Sequence, residues 1–479
     1  MLSLLSTALA SPAAQTLLAL LYFALAASVT ADVLLTRSDV RAAIGWIAAA
    51  WLSPILGGLL YFLFGINRVT RRALKLTRRR GRTETHPASG EPSGLDDNIA
   101  QLAQISGKVV GGPLTGGNRL IPLVGGDEAY PQMLAAIDGA TRGVVLASYI
   151  FRDDMAGRRF TDALARAKAR GVEVRVLLDS VGTGYLWSPI LARLTAHGIR
   201  TGRFLHTLLP WRMPFLNMRN HRKLLVVDGR LAFTGGMNIG AENCRSLRPD
   251  HHIDDVHFRV EGPAVRRVME AFAHDWDFTT GEVLDDPFWW PDLAPAGTTV
   301  LRGLSSGPDA DLYKLEAMLG AAISLARKQV RIVTPYFLPD ARLQFVIAQA
   351  VLRGVRVDIV LPEHSDQHLM EWAMGAHIRF FRHVGAHFSL TRGPFDHSKL
   401  ATVDGQWSLI GSSNWDARSF RLNFEFDLEC YGAEFAAILD TMIDDRIARG
   451  RELTPEELLA RPVWRRLRDA AARLLMPYL

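Results

Sequence analysis

The sequence predicts an α/β protein of two duplicated lobes, each a mixed sheet flanked by helices, sharing one active site and preceded by a two-helix transmembrane hairpin. Three observations carry this: strand and helix patterns that alternate, an internal repeat at an offset of 176 residues, and two long uncharged stretches near the N-terminus. The chain has 479 residues, 48% apolar and 22% charged, enough for two or three packed units and incompatible with a wholly disordered chain. Its two cysteines, Cys244 and Cys430, supply neither a disulfide framework nor a thiolate metal site, and are expected to be buried, reduced thiols.

Residues 1–31 carry no charge, and 14–35 are apolar apart from small polar residues and Asp32. Residues 42–66 are again uncharged and include Trp46, Trp51, Tyr61 and Phe64. About 20 helical residues cross a hydrocarbon core of roughly 30 Å, so both stretches qualify as spans within a hairpin domain of residues 1–67. A cleaved signal peptide ending near Val29-Thr30-Ala31 is the alternative, but no basic residue precedes the apolar run and a second span follows closely. Between the spans stand only Arg37 and Arg41 against Asp39. After them come Arg68, Arg71, Arg72, Lys75, Arg78, Arg79, Arg80 and Arg82, with no acid among them. The positive-inside rule then predicts a multi-pass protein of the bacterial inner membrane with the catalytic part on the cytoplasmic side. The same run can lie against anionic lipid, worth at most about 1 kcal/mol per residue.

The formal charge is +6, so these eight cations leave the remainder at about −2. That excludes a global basic field for gathering nucleic acid. Residues 83–115 are rich in Gly, Pro, Ser and Thr; with the basic run they make residues 68–115 a juxtamembrane segment and flexible linker, and folding is expected to begin near Asn118.

Residues 144–151 read as a strand, 162–170 as an amphipathic helix and 171–179 as an alternating strand. The same order returns at 330–337, 343–353 and 354–362, which argues for α/β units with a largely parallel sheet. Lobe 1 is expected over 116–290 and lobe 2 over 298–479, joined through the Pro-rich segment 287–295.

The strongest repeat is His221-Arg222-Lys223 with Asp228 and then Asn238, against His397-Ser398-Lys399 with Asp404 and then Asn414, all at the one offset. One H-x-K-x(4)-D is weak evidence; two in register are strong. On a strand, the period of two puts each His and Lys on one face and the Asp on the other, so Asp228 and Asp404, counted here in the catalytic motif, are expected to brace it from behind. Lysine ammonium groups and asparagine amides can surround a phosphate, which nominates Lys223, Lys399, Asn238 and Asn414 as phosphate-binding. One neutral imidazole can attack phosphorus while the other, protonated, donates to the leaving alkoxide. The resulting phosphohistidine exchanges one alcohol for another. This chemistry requires no cofactor and no metal; the nearest metal-like set is His251, His252 and His257 with Asp254 and Asp255. Each His needs an acceptor to orient it, and Asp255, 34 residues after His221, and Glu425, 28 after His397, both sit in strand-like segments.

The paired motifs resemble the phospholipase D superfamily. The surrounding sequence narrows the likeness to the bacterial cardiolipin synthases of that superfamily: the hydrophobic hairpin, TPYF at 334–337, VEGPAV at 260–265 and RPVWRRL at 461–467. The resemblance covers almost the whole chain. It implies transfer of a phosphatidyl group from one phosphatidylglycerol to another, giving cardiolipin and glycerol, with His221 as nucleophile and His397 as general acid. It implies phospholipase-D-like lobes, and phosphatidylglycerol and anionic membrane lipid as partners, without nucleic acid. The sequence carries no signal for oligomeric state. Two departures stand out: Ile253 where the family often has Trp before Asp255, and Gly-Gly in the first copy against Gly-Ser in the second. A membrane-anchored phospholipase D or other phosphodiesterase shares the same core and differs only in taking water as acceptor; a dead-site scaffold conflicts with two intact motifs. The C-terminal segment 463–475 is amphipathic and basic, suited either to the membrane interface or to packing on the catalytic body.

Overall fold

The computed structural model describes residues 12–37, 40–62, 94–207 and 218–476. The chain divides into two compact units, the N-terminal helices and the large α/β body.

In the first unit, Pro12–Thr36 is one helix, long and apolar enough to cross a membrane. The second stretch is not the single span expected over 42–66. It is a helix at Val40–Leu52, a break at Ser53, and a second helix at Pro54–Leu60, with 63–66 outside the described residues. Pro54 has no N–H to continue the ladder, so the helix restarts there. The bend presses Gly57 onto the preceding segment, where a Cβ would stand 2.2 Å from the Ala49 carbonyl oxygen. Val29, Val33, Ala50 and Tyr61 pack together between the helices. Trp51 Nε1 donates to Thr30 Oγ1 at 3.0 Å, and the Tyr61 hydroxyl donates to Asp32 at 2.7 Å, giving the one acid of the first helix a partner. The basic run at 68–82 lies outside the described residues.

The large unit is organised by its sheet. The first lobe contributes β1 (Thr115–Val124), β2 (Gly143–Ser148), β3 (Glu173–Asp179), β4 (Arg200–Phe204), β5 (Leu224–Val227), β6 (Leu231–Gly235) and β7 (Val256–Glu261). The second contributes β8 (Thr299–Ser306), β9 (Gln329–Val333), β10 (Arg356–Pro362), β11 (His387–Thr391), β12 (Leu400–Val403), β13 (Trp407–Gly411), β14 (Asn423–Tyr431) and the short β15 (Gly450–Glu452). The strand order is β4-β3-β2-β5-β6-β7-β1 and then β8-β14-β13-β12-β9-β10-β11-β15. Either side of the β1/β8 seam the two lobes repeat the same order in mirror sequence, which is the duplication made visible.

Only β2-β3-β4 and β9-β10-β11 pair in parallel; every other neighbour on this path is antiparallel. The largely parallel sheet expected from the alternation is therefore parallel in one part of each lobe. Short hairpins such as β5-β6 and β12-β13 turn the chain back without a helix, through Asp228-Gly229 and Asp404-Gly405 in the left-handed region. The crossover helices start earlier than expected, at Met155–Ala169 and Ala341–Leu352. Asp154 caps the first by accepting from Gly157 N–H, and Asp340 caps the second by accepting from Arg342 and Leu343 N–H.

One segment expected as flexible linker is ordered. Asp97–Val110 is a helix whose Ile99, Leu102 and Ala103 enter the core of the second lobe, although it precedes the first. Its apolar residues have helical spacing, but Gly- and Ser-rich flanks conceal it. At the other end, Val463–Leu474 packs on His368–Ile378 through buried Asp469 and Ala472, with Arg461 donating to Asp469 at 3.0 Å. Val463, Trp464, Leu467 and Leu474 remain exposed.

Candidate active site

Each histidine motif enters through an extended segment just before β5 or β12, and each is registered against the opposite lobe. Arg219–Asn220 pairs in parallel with Asn423 and Phe424 at the start of β14, and His221 N–H donates to the Phe424 carbonyl at 2.9 Å. Phe395–Asp396 pairs in parallel with Ile253 and Asp254, and His397 N–H donates to the Asp254 carbonyl at 2.7 Å. Ile253, one of the departures from the family pattern, therefore supplies backbone to this crossing as well as lining the cavity.

The exchange decides the orienting pairs. Asp255 and Glu425 do hold the imidazoles, but each holds the one from the other lobe: His221 Nδ1 lies 2.9 Å from Glu425 Oε2, and His397 Nδ1 lies 2.8 Å from Asp255 Oδ2. The pairing within each copy expected from sequence is thus corrected to a pairing across copies. A protonated Nδ1 donating to carboxylate leaves Nε2 for chemistry. The Gly-Gly against Gly-Ser departure has its reason here. Ser412 Oγ donates to Glu425 Oε2 at 2.6 Å, whereas a Cβ at Gly236 would meet the Asp255 carboxylate at 2.5 Å.

Lys223 and Lys399 are buried beside the imidazoles. Lys223 Nζ donates to the His221 carbonyl at 2.6 Å, and Lys399 Nζ donates to the His397 carbonyl. Burial pushes Lys223 down to about 7 and Lys399 down to about 8. Burial, reinforced by the Lys223 ammonium, holds His221 well below its ordinary 6.5. Burial and Lys399 also lower His397, where Asp255 works in the opposite direction. The two sites are therefore electrostatically unequal, His221 favouring the neutral form.

Asn238 Oδ1 accepts from Ile150 N–H at 3.1 Å, which turns its amide nitrogen away from that contact, and Asn414 Oδ1 has no hydrogen-bond partner; both side chains line the cavity. Asp228 and Asp404 are not in its wall. Asp228 accepts from the N–H groups of Thr141, Arg142 and Gly143, and Asp404 from those of Arg327, Lys328 and Gln329 and from Asn98 Nδ2. Each ties its β-turn to the entry of the neighbouring strand, about 16 Å along the chain from its lysine. Their counting as catalytic is corrected to bracing.

The intervening residues of the motifs are braced from behind with opposite charge. Arg222 pairs with Asp275 at 2.8 Å, which also accepts from Asn220 Nδ2 at 2.7 Å. In the second lobe Arg446 supplies the cation, donating to Asp396 at 2.7 Å and to Ser398 at 2.9 Å.

His221 and His397 open into one cavity of about 350 Å³. The metal-like set disperses: Asp255 serves His397, His252 faces Asp254 at 3.4 Å, and buried His257 is pushed down to about 4. Several wall residues went unrecognised in the sequence: Tyr149, whose ring lies 5.0 Å from that of His221, Tyr336 beside His397, and the charged Arg219, Glu242, Asp366 and Arg418. Glu242 and Arg418 stand at the repeat offset of 176, four residues beyond the asparagines, so following the repeat further would have found them.

A family model described as cardiolipin synthase, PLD-like domain, matches residues 133–276 and 319–447, and a second, phospholipase D-nuclease N-terminal, matches 24–65. The major cardiolipin synthase of Bacillus subtilis (strain 168) is 30% identical, over 92% of this chain and 95% of its own. Cardiolipin synthase A of Pseudomonas fluorescens is 33% identical, over 97% and 98%. Among solved structures, phosphatidylserine synthase from Haemophilus influenzae Rd KW20 superposes with a TM-score of 0.59 at 17% identity, covering 75% of this chain and 95% of that one, a likeness of fold. With more than half of the residues inside the family model and relatives of this identity matched over nearly their full length, the chain belongs to the cardiolipin synthase family of phospholipase-D-like proteins.

Proposed function

We propose that the chain transfers a phosphatidyl group from one phosphatidylglycerol to the terminal hydroxyl of another, giving cardiolipin and glycerol through a phosphatidyl-histidine. The observation that carries this is the meeting of His221 and His397, one from each lobe, in a single cavity.

His221, kept neutral by burial and held through Nδ1 by Glu425, attacks phosphorus with Nε2. The bond from phosphorus to the glycerol oxygen breaks, and that oxygen takes the proton from His397. The acceptor hydroxyl then enters on the same side, returns a proton to His397 and bonds phosphorus as the phosphorus–nitrogen bond breaks. Lys223, Lys399, Asn238 and Asn414 supply donors around the non-bridging oxygens. Two displacements restore the configuration at phosphorus.

His221→Ala abolishes the covalent adduct on this reading, and His397→Ala slows glycerol departure; an adduct trapped on His397 reverses the assignment. Incubation of the purified protein with phosphatidylglycerol vesicles tests the whole. Cardiolipin and glycerol in equal amounts support transfer; phosphatidic acid alone means that water is the acceptor.

The N-terminal helices are read as a membrane hairpin and the eight cations at 68–82 as its cytoplasmic flank, which keeps the site beside its anionic lipid substrate. Ser38→Cys, between the spans, is then expected to react with a membrane-impermeant thiol reagent in intact cells. The exposed apolar face and arginines of Val463–Leu474 suit contact with the same lipid surface.

A further inference from the structure

A cavity that receives an anionic phosphodiester carries a carboxylate in its wall, on the side of His397. Asp366, in the loop after β10, lines the cavity with Gln367 and Tyr336. The arrangement is continuous: the Tyr336 ring lies 6.4 Å from the His397 ring, the Tyr336 hydroxyl donates to Asp366 Oδ1 at 2.5 Å, and Gln367 Nε2 reaches that hydroxyl at 3.5 Å. Phe395 packs on both rings, at 6.1 and 5.9 Å. Burial and the neighbouring Asp366 hold the Tyr336 phenol well above its ordinary range, so it remains a donor. Ser365 Oγ also approaches Oδ1, at 3.4 Å, so both side-chain donors gather on one carboxylate oxygen and Oδ2 is left to the cavity.

The first lobe does not repeat this. Four residues after β3, where Asp366 stands after β10, is Thr183, buried with its hydroxyl donating to the Asp179 carbonyl at 2.6 Å. The wall near His221 carries Arg219 and Arg418 instead. The cavity is thus cationic beside one histidine and anionic beside the other.

A phosphate repels Asp366, so the carboxylate has to serve a different part of the substrate. On the proposed reaction, the His397 side is where alcohols exchange: the leaving glycerol and the incoming headgroup occupy it in turn. Both carry a hydroxyl on the carbon next to the reacting oxygen, and a carboxylate is a pure acceptor for such a group. We propose that Asp366, positioned by Tyr336, is a polyol subsite that accepts a hydrogen bond from this neighbouring hydroxyl and so selects vicinal diols over simple alcohols as phosphatidyl acceptors. The inference rests on the transfer reading above. In the step, the reacting hydroxyl loses its proton to His397 as its oxygen bonds phosphorus and the bond to His221 breaks; the neighbouring hydroxyl keeps its proton and stays bound to Asp366.

The test supplies the full-length protein and phosphatidylglycerol vesicles with equal concentrations of 1,2-propanediol and 1-propanol, and measures the ratio of phosphatidylpropanediol to phosphatidylpropanol. The wild type is expected to favour the diol by at least about tenfold. Asp366→Ala brings the ratio close to one, Tyr336→Phe lowers it less, and Asp366→Glu restores part of it. Because both products come from one reaction, a slow variant still reports, and a merely structural loss leaves the ratio unchanged. A wild type that does not discriminate, or an Asp366→Ala ratio equal to the wild type's, overturns the proposal. So does an Asp366 requirement confined to added ethanolamine, which assigns the carboxylate to an ammonium group. Wild-type protein that forms neither exchange product nor cardiolipin overturns the transfer reading instead.

Discussion

Glu425 Oε2 lies 2.9 Å from His221 Nδ1 across 204 residues of chain, and Asp255 returns the contact to His397 at 2.8 Å. Neither lobe can orient its own histidine, so the site exists only when both halves of the sheet are registered. The register comes from the two short crossings at Arg219–Asn220 and Phe395–Asp396.

The crossed pairs predict crossed defects. Glu425→Gln, in the second lobe, should slow formation of the adduct on first-lobe His221 by about 10⁴-fold, the scale seen when a carboxylate that fixes a catalytic imidazole tautomer is neutralised. Asp255→Asn should instead impair proton transfer at His397. Rapid-quench measurement of adduct formation separates them; if Asp255→Asn, and not Glu425→Gln, leaves His221 unable to form its adduct, the pairing drawn here is wrong.

The lysines predict the alkaline limb. A lysine pushed down from 10.5 is charged only below its new value, so Lys223 loses its ammonium through about pH 7 and Lys399 through about pH 8. If both must be charged to hold phosphate, kcat/KM falls as pH rises through this window. Lys223→Arg, which keeps its charge, should move the midpoint from about 7 to about 8 even if the maximum rate drops. On the acid side His221 must be neutral; since it is pushed well below 6.5, the loss of rate there should lie below that value. Initial rates of cardiolipin formation across both limbs check the assignment.

Asp404 should matter for stability rather than chemistry. It takes three backbone N–H groups and Asn98, and sits at φ 53°. Asp404→Ala strands those donors and leaves alanine in a left-handed conformation, at a combined cost of about 3 kcal/mol or more. Thermal unfolding in detergent should shift down, while the fraction that remains folded forms adduct at nearly the wild-type rate. Lys399→Ala should show the opposite pattern.

Much of this was legible because the duplication writes it twice. His221, Lys223 and Asn238 reappear at one offset, and the repeated strand-helix-strand units locate the parallel part of each lobe. Asp255 and Glu425 were recognisable as carboxylates on alternating strands. Their pairing was not, because it depends on which strand ends cross between lobes, and periodicity carries no information about partner or direction. The break at Pro54 was readable from proline chemistry, whereas the helix at 97–110 was masked by its flanks. Asp366 has no counterpart in the first lobe, so a search for repeats passes over it.

The buried ion pair behind the second motif gives the last prediction. Arg446 and Asp396 are both buried, and the arginine holds the Asp396 carboxyl below its ordinary 3.8 despite burial. A carboxyl with a depressed folded value contributes stability above its unfolded value and loses it only as pH falls through the folded one, so this pair should be insensitive to mild acid. Arg446→Met leaves a lone buried carboxylate, at a cost of about 3 to 5 kcal/mol near neutral pH. Without its partner Asp396 then favours the protonated form, so acidification should restore stability to Arg446→Met while leaving the wild type unchanged. Adding Asp396→Asn should recover most of the loss at neutral pH and remove the acid rescue. Denaturant unfolding of the three variants at two pH values measures both effects; equal losses at both, with no recovery in the double variant, would mean that Arg446 acts through packing alone.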